Sequence, residues 1–256
     1  LDPDATMLVM PADHVIDDVA AFRDDVQKAV SLVDNNPERL VLFGVPPTYP
    51  ATGFGYIERS ESIGQGAFEV KAFREKPDRD TAEHYLRSGT FFWNCGIFVW
   101  KAKRILEALA QHEPEMVARL ETLRPHIGMP SWGDALNEIF PTLKSISIDY
   151  AVLEREQKIA VFEARFPWDD VGGWEAVARL VSADANGNSV VGPVLTVDSR
   201  NCIVRSGDNH VVALLGMENC IVVQTPDATL VARRGDDEAI RQIIQALQTP
   251  ELNKHL

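Results

Sequence analysis

The chain has 256 residues, 45% of them apolar, enough for one large domain or for a large and a small one. Its formal net charge of −13 argues against a nucleic-acid-binding surface and requires any phosphate site to be locally positive or metal-assisted. Three cysteines without a Cys-x-x-Cys pair, no apolar run of membrane-spanning length and no visible signal peptide point to a cytoplasmic chain with neither membrane nor nucleic acid as a partner.

Met7 to Met10 reads as a short buried strand, with Pro11-Ala12-Asp13-His14 at its tail. Val19, Phe22, Val26, Ala29, Val30 and Val33 fall at helical spacing, and Pro37 ends that helix. Leu40 to Val45 is a continuous apolar run of buried-strand length, and Phe68, Val70 and Ala72 alternate as a one-sided strand does. Phe91 to Trp100 is a long aromatic and β-branched run broken by Asn94-Cys95-Gly96. Ile105, Leu109, Met116, Leu120 and Leu123 predict a helix or two interrupted near Pro114, and Trp132, Leu136 and Ile139 another helical face. Ile159 to Phe162 is β-like and leads into Trp168-Asp169-Asp170-Val171-Gly172-Gly173-Trp174. Strands alternating with helices predict an α/β domain over residues 1–184 with a largely parallel sheet.

Ser182 to Asn188 is polar and reads as a linker, after which short β-branched runs predict a small second domain over residues 185–256. Asn201-Cys202-Ile203-Val204 recurs as Asn219-Cys220-Ile221-Val222, and Val194, Val212 and Leu230 share the same 18-residue shift. Eighteen residues make three hexapeptides, about one coil of a triangular β-helix. Chance similarity between β-rich segments is the competing explanation. Asp236 to Leu247 predicts a closing amphipathic helix through Ile240, Ile243, Ile244 and Leu247.

Several segments carry candidate chemistry. Asp13 and Asp170 each follow a strand-like run, and an open α/β sheet can bring such strand ends together around Mg²⁺. Each alone reads equally as a turn or capping aspartate. Two glycines around Phe54 let the backbone approach a ligand, as glycine turns also do without one. Glu75-Lys76 could offer an acceptor to hydroxyls and a point charge to a phosphate, or simply be an exposed charged turn. Asn94, set among aromatics, needs partners from a sugar hydroxyl or from backbone. Asp149 opens a short helix as an N-cap or a ligand.

Pro11-Ala12-Asp13-His14, Thr52-Gly53-Phe54-Gly55-Tyr56-Ile57-Glu58, Glu75-Lys76-Pro77, Phe92-Trp93-Asn94-Cys95-Gly96-Ile97-Phe98, Ser147-Ile148-Asp149-Tyr150-Ala151-Val152 and Trp168-Asp169-Asp170-Val171-Gly172 occur in this order. Together they resemble the mannose-1-phosphate guanylyltransferases among the sugar-nucleotide pyrophosphorylases. The resemblance implies a Rossmann-like nucleotidyltransferase domain followed by a small β-helical one. It implies Asp13 and Asp170 as Mg²⁺ ligands, Lys76 on the sugar phosphate, Glu75 on sugar hydroxyls, and Gly55, Asn94 and Asp149 as substrate-binding positions. Asp169 is the weaker metal candidate, because the family's acid directly precedes Val-Gly. Ala51 stands where many members have Glu.

The implied reaction is in-line attack of mannose 1-phosphate on the α-phosphate of GTP, helped by positioning, Mg²⁺ and lysine. No counterpart of the family's glycine-rich, arginine-bearing nucleotide loop precedes Leu8. The sheet is therefore expected to show an unpaired edge, and the chain alone to turn over poorly. No cupin-like segment is visible, so the bifunctional form is not expected. A homodimer is an expectation of the same kind. The alternatives are a related pyrophosphorylase using another base or sugar, and a non-catalytic paralogue or fragment.

Overall fold

The structure, a computed structural model, describes residues 2–249 and 251–255. It divides into two compact units, Leu1–Trp168 and Asp169–Leu256.

The first unit is built on β1 (Thr6–Val9), β2 (Val15–Ile16), β3 (Leu40–Val45), β4 (Tyr56–Gly64), β5 (Ala67–Arg74), β6 (Phe91–Lys101) and β7 (Ile159–Glu163). Six of these form one sheet in the order β1-β6-β3-β7-β5-β4. β3 and β7, apolar along nearly their whole length, lie at its centre and are buried on both faces. Helix α1 (Val19–Asn35) covers one face through Ala29 and Val33, packed with Val41, Phe43 and Phe162. Leu40 and Leu42 point the other way, to Ile105 and Ala108 of α3 (Ala102–His112) and to Val152 and Leu153. The strand's period of two thus splits one apolar run between two cores, each fully buried large side chain contributing about 1.5–3 kcal/mol. Three further helices are α2 (Arg79–Ser88), α4 (Pro114–Glu121), which begins at its proline, and α5 (Trp132–Ile139).

The α/β domain forms, but its sheet is not largely parallel. Among the described strands of this sheet only β3 and β7 pair in parallel; β1–β6, β3–β6, β5–β7, β4–β5 and β4–β6 are antiparallel. One cause is local. Gln65 (φ 55°) and Gly66 (φ 85°) are the two residues joining β4 to β5, and positive φ at both is the hairpin turn that reverses a strand. Helix–strand alternation does not fix strand direction elsewhere. The Met7–Met10 run is not buried either: among the described strands β1 pairs only with β6, and Met7 and Leu8 are each 40% exposed. The Phe91–Trp100 run is one continuous strand, irregular but unbroken at Asn94–Gly96.

The second unit opens with β8 (Trp168–Asp169, shared with the boundary) and α6 (Trp174–Arg179). Then come β9 (Ser189–Val191), β10 (Val194–Val197), β11 (Ile203–Arg205), β12 (Val212–Leu215), β13 (Cys220–Gln224), β14 (Thr229–Arg233) and α7 (Asp237–Ala246). β10 pairs in parallel with β12 from Val194↔Val212, and β11 with β13 from Ile203↔Ile221, so neighbouring coils stack at the 18-residue shift. Cys202 and Cys220 stack within this core, Sγ to Sγ 3.3 Å, beside Val204, Leu214 and Val222. The repeat stops there. Thr225 N donates to Ala228 O at 2.9 Å across a turn holding Pro226, and β14 returns antiparallel, setting Leu230 against Val223. Leu230 is therefore not a third coil position. Within Ser182–Asn188, Asp184 accepts from the backbone N–H groups of Asn186 and Asn188, and Asn188 is buried.

Candidate active site

The site begins with a fault in the sheet. β3 and β6 are in register at Leu42↔Phe98 and again at Gly44↔Asn94, so three residues of β6 face Phe43 alone. Gly96 takes φ 71° within this bulge, and a Cβ there would stand 3.2 Å from Pro11, which leads to Asp13. The bulge turns Asn94 to the Gly53–Gly55 loop. Asn94 N donates to Gly55 O at 2.8 Å, its Nδ2 donates to Asp149 Oδ1 at 3.0 Å, and its Oδ1 accepts from Gly96 N at 3.1 Å. One amide hydrogen has no partner among these bonds and can serve a ligand.

Asp149 does not cap its segment. Asp149–Leu153 is a π-helical turn, a form frequent at functional sites, and the Asp149 carboxylate faces Asn94. Burial pushes the Asp149 carboxyl above the usual range, opposed by its own backbone N–H, Ser147, Asn94 and the charge of Lys76. Glu75 follows β5, its side chain only 9% exposed. Burial raises its carboxyl too; Lys76 opposes this, while Asp149 and Glu154 add to it. Gly55 lies against Glu75, so a Cβ on Gly55 would stand 2.7 Å from Glu75 Oε2 and 3.2 Å from Phe73. Lys76 Nζ is 3.2 Å from Glu75 Oε1 and mostly exposed, an ion pair that adds little stability but leaves the cation available. Its backbone sits at φ 41°, costing roughly 1–3 kcal/mol for a residue with a Cβ.

Of the expected residues, Gly55, Glu75, Lys76, Asn94 and Asp149 come together in the first unit. Asp13 is exposed in the same unit, on the loop after β1. The next residue, His14, accepts from Trp168 Nε1 at 3.1 Å. Asp170 belongs to the second unit. There its neighbour Asp169 accepts from Val171 N at 2.9 Å and from Arg179 Nε at 2.7 Å, whereas among the described residues no cation pairs with Asp170. No group of three or more His, Cys, Asp or Glu is gathered to hold a metal among the described residues. Mg²⁺ commonly takes one or two carboxylates and completes its shell with water and phosphate, so acids without cation partners fit it better than Asp169 does.

Sequence reasoning missed Glu154, whose Oε1 accepts from Glu75 N at 3.3 Å, and the Trp168–His14 bond. Spans of 79 and 154 residues leave no local pattern to read. Paired acids raised by burial, a donor amide and one exposed lysine suit a ligand with several hydroxyls and one phosphate: the acids accept from hydroxyls, and the cation meets the phosphate.

Residues 1–187 match the family described as nucleotidyl transferase, and residues 192–247 the mannose-phosphate isomerase/GMP-like β-helix domain. The chain is 38% identical over 252 residues to the alginate biosynthesis protein AlgA of Pseudomonas putida, covering 95% of this chain and 50% of that one. It is 35% identical over 262 residues to a mannose-1-phosphate guanylyltransferase of Klebsiella pneumoniae, covering 98% and 54%. A crystal structure described as mannose-1-phosphate geranyltransferase from Thermus thermophilus superposes with a TM-score of 0.83 at 32% identity, covering 95% of this chain and 70% of that one. The chain spans about half the length of the curated relatives it matches.

Proposed function

We propose a function from the premise those matches supply: the chain belongs to the nucleotidyl transferase family. Its reaction is guanylyl transfer from GTP to mannose 1-phosphate. An oxygen of the sugar phosphate forms a bond to the α-phosphorus, the bond from that phosphorus to the bridging oxygen breaks, and pyrophosphate leaves with GDP-mannose as the other product. The observation that carries this reading is the convergence of Gly55, Glu75, Lys76, Asn94 and Asp149 on one another. Glu75 and Asp149 accept hydrogen bonds from sugar hydroxyls, Asn94 donates its remaining amide hydrogen, and Lys76 meets the sugar phosphate. Gly55 keeps Glu75 in place by having no side chain. No covalent intermediate is required, so the residues act by orienting and neutralising charge.

Asp13 and Asp170 are each a candidate ligand for Mg²⁺, which if bound would supply charge stabilisation to the transferring phosphoryl group. No helix among the described residues is long and apolar enough to cross a membrane. Cytoplasmic location and a homodimer stand as proposals beside the reaction. The test is to incubate the full-length protein with GTP and mannose 1-phosphate and follow GDP-mannose and pyrophosphate together, with UTP, ATP and glucose 1-phosphate as competitors. GDP-mannose in step with pyrophosphate is expected. A clear preference for another base or sugar would move the assignment within the family, and no product with any pair would overturn it.

A further inference from the structure

We propose that Trp168 is a positioning residue, which fixes the loop carrying Asp13 against the Gly53–Gly55 turn. The inference rests on the transfer reaction proposed above for its kinetic consequence, but not for its geometry. Trp168 is half-buried and makes two contacts of different kinds. Its indole Nε1 donates to His14 Nδ1 at 3.1 Å, with the rings edge to face at 5.4 Å. The indole N–H donates and the imidazole Nδ1 accepts, so the bond fixes the orientation of the His14 ring. On its other side Trp168 meets Phe54, again edge to face at 5.4 Å, and Phe54 meets Trp93 at 5.1 Å. His14 follows Asp13; Phe54 precedes Gly55; Trp93 precedes Asn94. One aromatic chain therefore ties together three segments that each carry a candidate site residue.

Packing alone does not account for this arrangement. A half-buried indole N–H can find water, yet this one is spent on the residue beside Asp13. Edge-to-face pairs also fix relative ring orientation, which shapeless apolar contact does not. Trp168 touches none of Glu75, Lys76 or Asp149 through any bond or ring contact described, so its role runs through the loops it holds.

The experiment compares Trp168→Phe, His14→Gln and His14→Asn in the full-length protein. Phenylalanine keeps a ring and loses the N–H. Asparagine places an acceptor near the position of Nδ1, whereas glutamine places it near Nε2. Trp168→Phe and His14→Gln are expected to lower kcat about tenfold or more while KM for mannose 1-phosphate changes less than about twofold; His14→Asn is expected to stay within about threefold of wild type. Amide hydrogen exchange over residues 12–14 is read alongside and is expected to quicken in the first two variants and not in the third. If wild type makes no GDP-mannose but the exchange pattern appears, the positioning stands and the assigned reaction falls. Unchanged kcat and exchange in Trp168→Phe, or His14→Asn as damaged as His14→Gln, would overturn the positioning itself.

Discussion

The two units treat backbone irregularity in opposite ways. In the second unit part of it repeats. Asp198 (φ 48°) and Gly216 (φ 65°) lie one 18-residue shift apart, as do Asn201 (φ 53°) and Asn219 (φ 50°), so each left-handed residue is the corner of a coil. In the first unit, beside scattered turn residues such as Asp18, Gln65 and Gly89, several unrepeated exceptions gather at one place. The β3–β6 register break, Gly96 at φ 71°, Lys76 at φ 41°, the π-helical turn at Asp149 and two carboxyls raised by burial all surround Asn94. A repeated irregularity is architecture. An unrepeated one costs stability at a single place and persists because surrounding packing enforces it. Their clustering around Asn94, rather than any single irregularity, is what distinguishes the site.

The largest effect is expected where the site has no spare volume. Gly55→Ala sets a methyl 2.7 Å from Glu75 Oε2, too close for the carboxylate to keep its place. Affinity for mannose 1-phosphate, read by calorimetry, is expected to fall about 100-fold, or about 2.7 kcal/mol. Retained affinity would show that Glu75 is not a sugar contact. Lys76→Gly comes next, because it separates backbone from side chain. Glycine accepts φ 41° freely, so the melting temperature is expected to hold or rise, while loss of the cation lowers kcat/KM by roughly 30-fold. A fall in both would mean that the lysine side chain supports the fold.

Asp149→Asn tests the raised carboxyls with a smaller effect, about tenfold in kcat/KM. Its stability consequence has a definite sign. A carboxyl whose folded pKa lies above its unfolded one contributes stability that is present below the unfolded pKa and is lost as pH rises through the folded pKa. Asp149 and Glu75 are both of this kind. At neutral pH the Asn variant is therefore expected to melt a few degrees above wild type, with the difference vanishing near pH 4. Thermal melts across pH 4–8 decide it, and a variant less stable at neutral pH would mean that Asp149 is better paired than its burial implies.

What was legible in the sequence divides along the same line. The coils could be read because their period is local: Cys202 and Cys220 announce a stack that the structure then makes at 3.3 Å. Gly55, Glu75, Lys76, Asn94 and Asp149 were named because short segments around them resemble a known family, although no spacing argument joins Asn94 to Asp149 across 55 residues. Strand direction was not legible from alternation, yet the Gln65-Gly66 pair between two β runs carried a hairpin signal that went unread. The Glu154–Glu75 and Trp168–His14 bonds had no signal at all, since each pairs residues whose proximity is decided only by the finished fold.

The smallest effect is the sharpest test of the contrast. If Asn201 and Asn219 are equivalent corners, replacing either by alanine imposes the same left-handed penalty, about 1–2 kcal/mol each. Replacing either by glycine should change stability by no more than about 0.5 kcal/mol, because glycine has no Cβ to crowd the carbonyl. Affinity for mannose 1-phosphate is expected to be unaltered in all four variants, since both asparagines belong to the second unit while Gly55, Glu75, Lys76, Asn94 and Asp149 belong to the first. Chemical denaturation of the single variants measures the first two statements and calorimetry the third. Unequal costs at the two corners would mean that the coils are similar in sequence but not equivalent in backbone. A change in affinity would mean that coil corners bear on the site after all, and the distinction between repeated and unrepeated irregularity would lose its functional meaning.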